Sequence, residues 1–405
     1  MGEKKVIWII NEYAGSPYHG MVYRHYYLAK EWVKRGLSVY IITASYSHLF
    51  YNLPEVNGRY EIQKIDGINY VWVKVPSYKN SYDKRRILKW LVFALKLFHL
   101  GKLNLKKPDV ILVSPSPHFP VIPALYFSRR CSARLIYEIR DIWPLTLVEM
   151  GGFSEKNLFI LAMKILERFA YRRAHYVVSV LPGFSGYLRS AGIKNRPVFY
   201  IPNGFSPVDS KCDDCETVEK IKEVAGSSFI VGYVGKLGES NALEYLVQAA
   251  SFISDSDIKV IIVGDGMKRR ELKEYIKKKG LENVFLFAPV PKSCVKSVIK
   301  MFDVCYIGLK RKNVFKYGIS SNKLFEYMYY EKPVIFAYSG GGNLVEAAKC
   351  GICVSPEDPV SISEGIIRVY KMPERERVEM GVNGRKFVER HHLYSVLADN
   401  YLKLF

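Results

Sequence analysis

"KVIWIINEYAGSPYHGMVYRHYYLAKEWVKRGLSVYIIT", residues Lys5 to Thr43, decides the fold class. A continuous apolar run reads as a strand buried on both faces, a glycine-containing loop follows, and the next stretch repeats its apolar positions at helical spacing before "SVYIIT" returns to a strand. This is a β-α-β unit, and strands joined through a helix run parallel. The alternation continues through "DVILVS", "RLIYEI", "YVVSVL" and "VFYIPN". A second series begins after Pro207 with "FIVGYVG", "KVIIVGDG", "VFLFA", "VCYIGL", "PVIFAY" and "GICVS", separated by helical stretches such as "RRELKEYIKKKG". Between the series lies "IPNGFSPVDSKCDDCE", rich in turn formers and without periodicity, which places the boundary near Asn203 to Asp209. The expected chain is α/β, with two Rossmann-like, doubly wound parallel-sheet domains over residues 1–205 and 206–385. Residues 386–405 are a C-terminal helix free to pack back on the first domain. Ligands of such sheets bind at the carboxyl ends of strands, here in a cleft where the two domains face one another.

The length of 405 residues agrees with two domains, since single cores stop growing near roughly 250–300 residues. Composition is that of a globular enzyme, but the formal net charge of +21 asks for an anionic partner: nucleic acid, an acidic membrane or a phosphorylated ligand. The N-terminus enters a strand directly, with no secretory pattern, so a cytoplasmic location is expected. Seven cysteines include the pairs Cys212/Cys215 and Cys350/Cys353, too far apart in sequence for a zinc ribbon, and are read as reduced thiols. Asp255-Ser-Asp257 resembles a metal-binding DxD but lies at a strand's N-terminal edge, so no metal is expected there.

Five stretches carry candidate chemistry. In the first loop, Gly15 and Gly20 would let a phosphate approach the backbone, though a plain βα turn reads equally well. Gly264 and Gly266 in "VIIVGDGMKRREL" form a GxG after a strand, without a third glycine. Lys236 follows the strand-ending Gly235 and could neutralise a diphosphate. In "SSNKLFEYMYYEKPVIFAY", residues Ser320 to Tyr338, Ser321 and Asn322 suit a helix N-terminus, where free N–H groups and the dipole favour an anion. Glu326 lies one turn on and could accept hydrogen bonds from a ribose diol; the alternative is an ion pair with Lys323 or Lys332. Finally, "KRRILKWLVFALKLFHLGKLNLKK" sets Arg85, Lys89, Lys96 and His99 along one stripe of a largely apolar helix. It is too often charged to span a bilayer, but could lie in an anionic membrane interface; the alternative is a helix packed on the first sheet.

Together, "IRDIWP", "LERFAYRRAHYVVSVLPGFSGYL", "IPNGFSP", "VGDGMKRREL" and "SNKLFEYMYYEKPVI" resemble the GT-B fold of retaining glycosyltransferase family 4, in the bacterial branch with fucosamine transferases of surface-polysaccharide assembly. The resemblance spans nearly the whole chain. It implies that Glu326, the second glutamate of the family's E-x7-E motif, binds the donor ribose. It also implies that Lys236 contacts the diphosphate, that the backbone at Ser321 and Asn322 caps a phosphate, and that Gly15 to Gly20 form the N-terminal glycine loop. Three positions depart from the pattern: Gly318 stands for the first glutamate, Asn241 for the second phosphate lysine, and Arg140, followed by Asp141, for a histidine after the fourth strand. Lys323 and Arg140 are the expected substitutes for the missing positive charge.

The function so implied is metal-independent, cofactor-free, retaining transfer of a hexose or amino-hexose from a nucleoside-diphosphate sugar, UDP favoured. The acceptor would be a polyprenyl-diphosphate-linked saccharide at the inner face of the cytoplasmic membrane, reached through Arg85, Lys89 and Lys96. Two rivals remain: a nucleotide-sugar epimerase, which needs an acid–base pair that the sequence does not display, and a basic nucleic-acid-binding protein, for which no RRM or zinc-finger signature is present.

Overall fold

The computed structural model describes residues 4–79, 83, 85–207, 215–254 and 256–405. Three positions considered above, Asp209, Cys212 and Asp255, lie outside them. The chain divides into two compact units: unit 1 is Met1–Gly204, Tyr317–Ser320 and Tyr394–Phe405, and unit 2 is Phe205–Lys316 and Ser321–Leu393.

Unit 1 is built on an eight-stranded sheet: β1 Val6–Ile10, β2 Ser38–Ala44, β3 Tyr60–Ile65, β4 Ile68–Val73, β5 Val110–Val113, β6 Arg134–Ile139, β7 Tyr176–Ser179 and β8 Val198–Tyr200. Their order is β3-β4-β2-β1-β5-β6-β7-β8, parallel throughout except for the antiparallel pair β3 and β4. Central strands such as β1 and β5 are buried at every position, as a sheet covered on both faces requires. The hairpin of β3 and β4 is an addition to the six strands read from the sequence. Its outer strand, "YEIQKI", is exposed at most positions and so lacks an apolar run. The signal that marks it is Asp66-Gly67, both at positive φ (+49° and +81°), the dihedral signs of a type I′ hairpin turn.

Unit 2 holds β9 Phe229–Val234, β10 Ile258–Val263, β11 Val284–Phe287, β12 Val304–Gly308, β13 Val334–Ala337 and β14 Gly351–Val354. They form a parallel sheet in the order β11-β10-β9-β12-β13-β14. The order reverses between β9 and β12, which is where a doubly wound sheet opens a crevice. The helix Glu374–His391 stays with this unit because its glycines permit close packing: a Cβ at Gly381 would stand 2.1 Å from the Glu331 carbonyl oxygen. The chain therefore returns to unit 1 only at Tyr394, eight residues later than the sequence reading placed the return.

The returning helix Tyr394–Leu402 completes the core of unit 1. Tyr394, Leu397, Ala398 and Tyr401 are buried with Trp32, whose indole N–H donates to the Ala398 carbonyl at 3.2 Å. Beside them lies a fully buried carboxylate, Glu138 of β6. It accepts from Arg24 Nε at 2.8 Å, His25 Nε2 at 3.0 Å and Ser114 Oγ at 2.7 Å, and also from the Tyr401 hydroxyl. Arg24 in turn donates to the Ile201 carbonyl at 2.9 Å and the Tyr401 hydroxyl at 3.1 Å. Burial by itself would raise the pKa of Glu138, but the Arg24 guanidinium and the bonds from His25 and Tyr401 outweigh it and hold the carboxyl well below its ordinary range.

Of the cysteines, Cys131, Cys215, Cys305, Cys350 and Cys353 are free thiols, whereas Cys294 is disulfide-bonded, which corrects the expectation of reduced thiols throughout.

Replacing Glu138 by Gln strands the buried Arg24 charge, and the expected cost is about 3–5 kcal/mol, read as a lower urea midpoint. The depressed pKa makes the stabilisation complete above the ordinary carboxyl value of 4.5 and lost as pH falls towards the folded value. The wild type should lose stability steeply in acid, and Glu138→Gln much less so.

Candidate functional site

The crevice of unit 2 begins where two strands part. β9 and β12 pair only through Val231–Val304 and Gly232–Cys305, so the last residues of β9 have no strand neighbour on that side. Tyr327 fills the gap: its hydroxyl accepts from the Val234 N–H at 2.8 Å and donates to the Val234 carbonyl at 3.1 Å. Tyr327 belongs to the helix Asn322–Tyr329, whose buried Leu324, Phe325, Tyr327 and Met328 face the core. This tie presents the helix N-terminus, with Ser321 as the residue before its first turn, at the carboxyl end of β9. Ser321 makes no side-chain cap, so its first N–H groups are satisfied by no local hydroxyl.

Lys323 lies one turn before Tyr327 and therefore on the same helix face. Its ammonium donates to the Tyr233 hydroxyl at 2.9 Å and to Asn241 Oδ1 at 2.7 Å. Tyr233 donates onward to the Lys236 carbonyl at 2.7 Å, and the Asn241 amide donates to the same carbonyl at 2.9 Å. The structure thus sets the Lys323 ammonium beside Asn241, whose side-chain oxygen accepts from it. Burial disfavours the charged amine and lowers its pKa to about 8.

Glu326, one turn after Asn322, forms an ion pair with Lys292 of the helix Lys292–Lys300. Neither partner considered from the sequence is used: Lys323 is engaged as above, and Lys332 donates to the Lys300 carbonyl at 2.9 Å. Lys292 gives no sequence signal for this role, because the pair spans helices on either side of β12. Lys236 is exposed at the end of β9.

Gly235, Gly264 and Gly266 line adjoining loops, and the backbone itself explains two of them: a Cβ at Gly266, at φ +156°, would stand 2.3 Å from the Leu237 carbonyl oxygen. Gly264 has φ +154°, and a Cβ there would stand 1.9 Å from the Gly235 carbonyl oxygen. The glycine is required for one loop to lie on the other, with the Leu237 N–H donating to the Asp265 carbonyl at 2.8 Å. The same holds in unit 1, where a Cβ on Gly15 would meet the Gly20 carbonyl oxygen at 1.8 Å; both glycines are buried.

The remaining expected residues belong to unit 1. Arg140 and Asp141 follow β6 at its carboxyl end, near Glu12, which follows β1. Among the described residues, Arg140 Nε and Glu12 Oε2 are buried without a hydrogen-bond partner. Burial pushes the Glu12 carboxyl up, and burial pushes its neighbour Lys89 down. Lys89 is therefore no membrane-facing residue, and that expectation is corrected. It is fully buried, its ammonium donates to the Glu12 carbonyl at 3.2 Å, and it sits 3.8 Å from the Tyr13 ring centroid. Lys96, on the same stripe, donates to the Lys74 carbonyl at 2.6 Å, while Arg85 and His99 are exposed. Of these four residues only Lys89 lies on the packed side of the helix, together with the buried Trp90, Phe93 and Leu97.

Comparison with known proteins agrees with this architecture. The family described as glycosyl transferases group 1 matches residues 215–387, and that described as glycosyl transferase 4-like domain matches residues 19–204. The glycosyl transferase WcaI of Escherichia coli strain K12, named for colanic acid biosynthesis, is 22% identical over 382 residues, covering 89% of this chain and 90% of its own. Sucrose-phosphate synthase from Thermosynechococcus elongatus superposes with a TM-score of 0.72 at 18% identity, covering 99% of this chain and 98% of the other. HepE of Anabaena in complex with UDP gives 0.66 at 16% identity, covering 99% of both chains. These structures share the GT-B fold.

Titration of isotopically methylated lysines by NMR should show a resonance near pH 8 that disappears in Lys323→Arg, against about 10.4 for ordinary lysines.

Proposed function

Because the chain belongs to the glycosyl transferases of group 1, with a 4-like domain preceding, we propose that it transfers a hexose or N-acetylamino-hexose, with retention, from a nucleoside-diphosphate sugar to a polyprenyl-diphosphate-linked saccharide. The likeness to WcaI supports a place in cell-surface polysaccharide synthesis. The similar fold of HepE, whose structures include complexes with UDP and UDP-glucose, supports UDP as the donor nucleotide.

The observation that carries the reading is the Lys323 ammonium held between Tyr233 and Asn241 beside the N-terminus of its helix. Cleavage of the donor leaves negative charge on the diphosphate. A fixed ammonium and unsatisfied N–H groups, already oriented before reaction, stabilise that charge most as it develops. Lys236 adds a second, exposed cation at the end of β9. In this reading protein cations take the role that a metal would otherwise play, and no cofactor is used. The leaving diphosphate accepts the acceptor proton on the same face, so no protein nucleophile is needed. Glu326 holds the ribose diol, with Lys292 fixing its carboxylate. Arg140 and Asp141 are assigned to the acceptor-side unit.

Calorimetric titration with UDP, GDP, CDP and dTDP tests the donor site. UDP should bind selectively, and both Glu326→Gln and Lys323→Ala should weaken it about tenfold or more, the scale of one charge-assisted hydrogen bond. Absence of nucleotide binding, or equal affinity in both variants, would refute the assignment. Because the free amine has a pKa of about 8 and only its protonated form meets the diphosphate, UDP affinity should be full below pH 8 and decline above it. Lys323→Arg should flatten that decline.

A further inference from the structure

Helix Arg85–Leu97 buries Lys89 and turns apolar side chains outwards: Leu88 is 53% exposed and Leu95 63%. The pattern continues on two neighbouring helices of unit 1. Tyr126 of Val121–Cys131 is 41% exposed, and Ile165 of Leu158–Arg173 is 69% exposed. The three surfaces are contiguous. The rings of Phe98 and Tyr126 lie 5.8 Å apart, and Phe98, Ile122, Tyr126 and Phe169 line one open hollow edged by Arg129 and Arg130. A soluble helix turns its apolar stripe inwards, so three adjoining stripes facing outwards mark an interaction surface.

Charge decides the partner. These helices contain one acidic residue, Glu167, and it is buried with its carboxylate oxygens taken by Tyr171 at 2.7 Å and Tyr187 at 3.0 Å. The exposed charges on them are basic, including Arg129, Arg130, Arg168, Arg172 and Arg173. A second copy would set arginine against arginine. Apolar side chains framed by arginines match a bilayer with anionic headgroups, in which the former enter the acyl boundary and the latter meet lipid phosphates.

The geometry points to this three-helix face of unit 1 as the surface that seats the protein in an anionic membrane interface. Among the described residues no helix is long and apolar enough to cross a bilayer, so the attachment is lateral. The inference deepens the proposed use of a lipid-linked acceptor and, in its purpose, rests on it. It places binding on Leu88, Leu95, Phe98, Tyr126 and Ile165 with the flanking arginines, and removes the buried Lys89 from the surface expected from the sequence.

The test is flotation with phosphatidylcholine vesicles, with and without phosphatidylglycerol, run alongside UDP calorimetry and light scattering on the full chain. Wild type should float with the mixed vesicles and remain behind with neutral ones. The double variant Leu95→Glu/Ile165→Glu should lose at least about tenfold in partitioning, and Arg129→Gln/Arg130→Gln a similar amount, at roughly fivefold per surface charge. UDP affinity and thermal melting should be unchanged in both, since the substituted side chains are exposed and distant in sequence from the donor unit. Equal flotation of wild type and both variants overturns the inference. So does wild type that fails to float, or that forms a lipid-free dimer broken by Leu95→Glu/Ile165→Glu. Flotation without UDP binding would instead sink the donor assignment and leave this surface standing.

Discussion

Unit 2 depends on one hydroxyl. Past Gly232 and Cys305 the strands β9 and β12 separate, and the separation would leave the Val234 N–H and C=O unpaired in the interior, a cost of about 1–3 kcal/mol for each orphaned group. Tyr327 satisfies both with a single oxygen. Because it does so from within the helix Asn322–Tyr329, the rotation and height of that helix follow from the bond. Lys323 one turn earlier is then carried to Tyr233 and Asn241, and Glu326 to Lys292. The open crevice and the charges that line it are thus consequences of the same strand divergence.

Unit 1 is organised around a different constraint, a charge that cannot be left alone. Glu138 sits in a strand whose neighbours in sequence are Tyr137 and Ile139, both buried, and a lone carboxylate there would be severely penalised. Arg24, His25, Ser114 and Tyr401 satisfy it from three separate segments of the chain. Satisfying one buried anion therefore fixes the first helix, the loop after β5 and the returning C-terminal helix at once.

The helix Arg85–Leu97 shows how a lysine can mislead. Lys89 has the composition of a surface residue, yet it lies inside, where the Glu12 carbonyl, the Glu12 carboxyl and the Tyr13 ring offset part of its desolvation and burial still pushes its pKa down. With Lys89 directed inwards, apolar side chains such as Leu88 and Leu95 are left to solvent. Reading charge as exposure inverts this helix.

Much of the architecture was legible in the sequence because it depends on local pattern. Buried parallel strands need continuous apolar runs, so twelve of the fourteen strands among the described residues could be read from hydrophobicity; the two missed form a hairpin whose polar outer strand leaves only Asp66-Gly67 as a mark. Lys323 and Glu326 were nameable as candidates, since both fall in one helix at the end of a βα unit. Their partners were not. Tyr233, Asn241 and Lys292 meet that helix from other elements of the fold, and no spacing along the chain encodes which hydroxyl or amine arrives there. The residue types and the apolar runs from which both sheets are built were determined by sequence alone. Which lysine is buried, which glycine serves backbone packing, and which stripe of a helix faces solvent were decided only by tertiary structure, because each depends on how burial is balanced by partners distant along the chain.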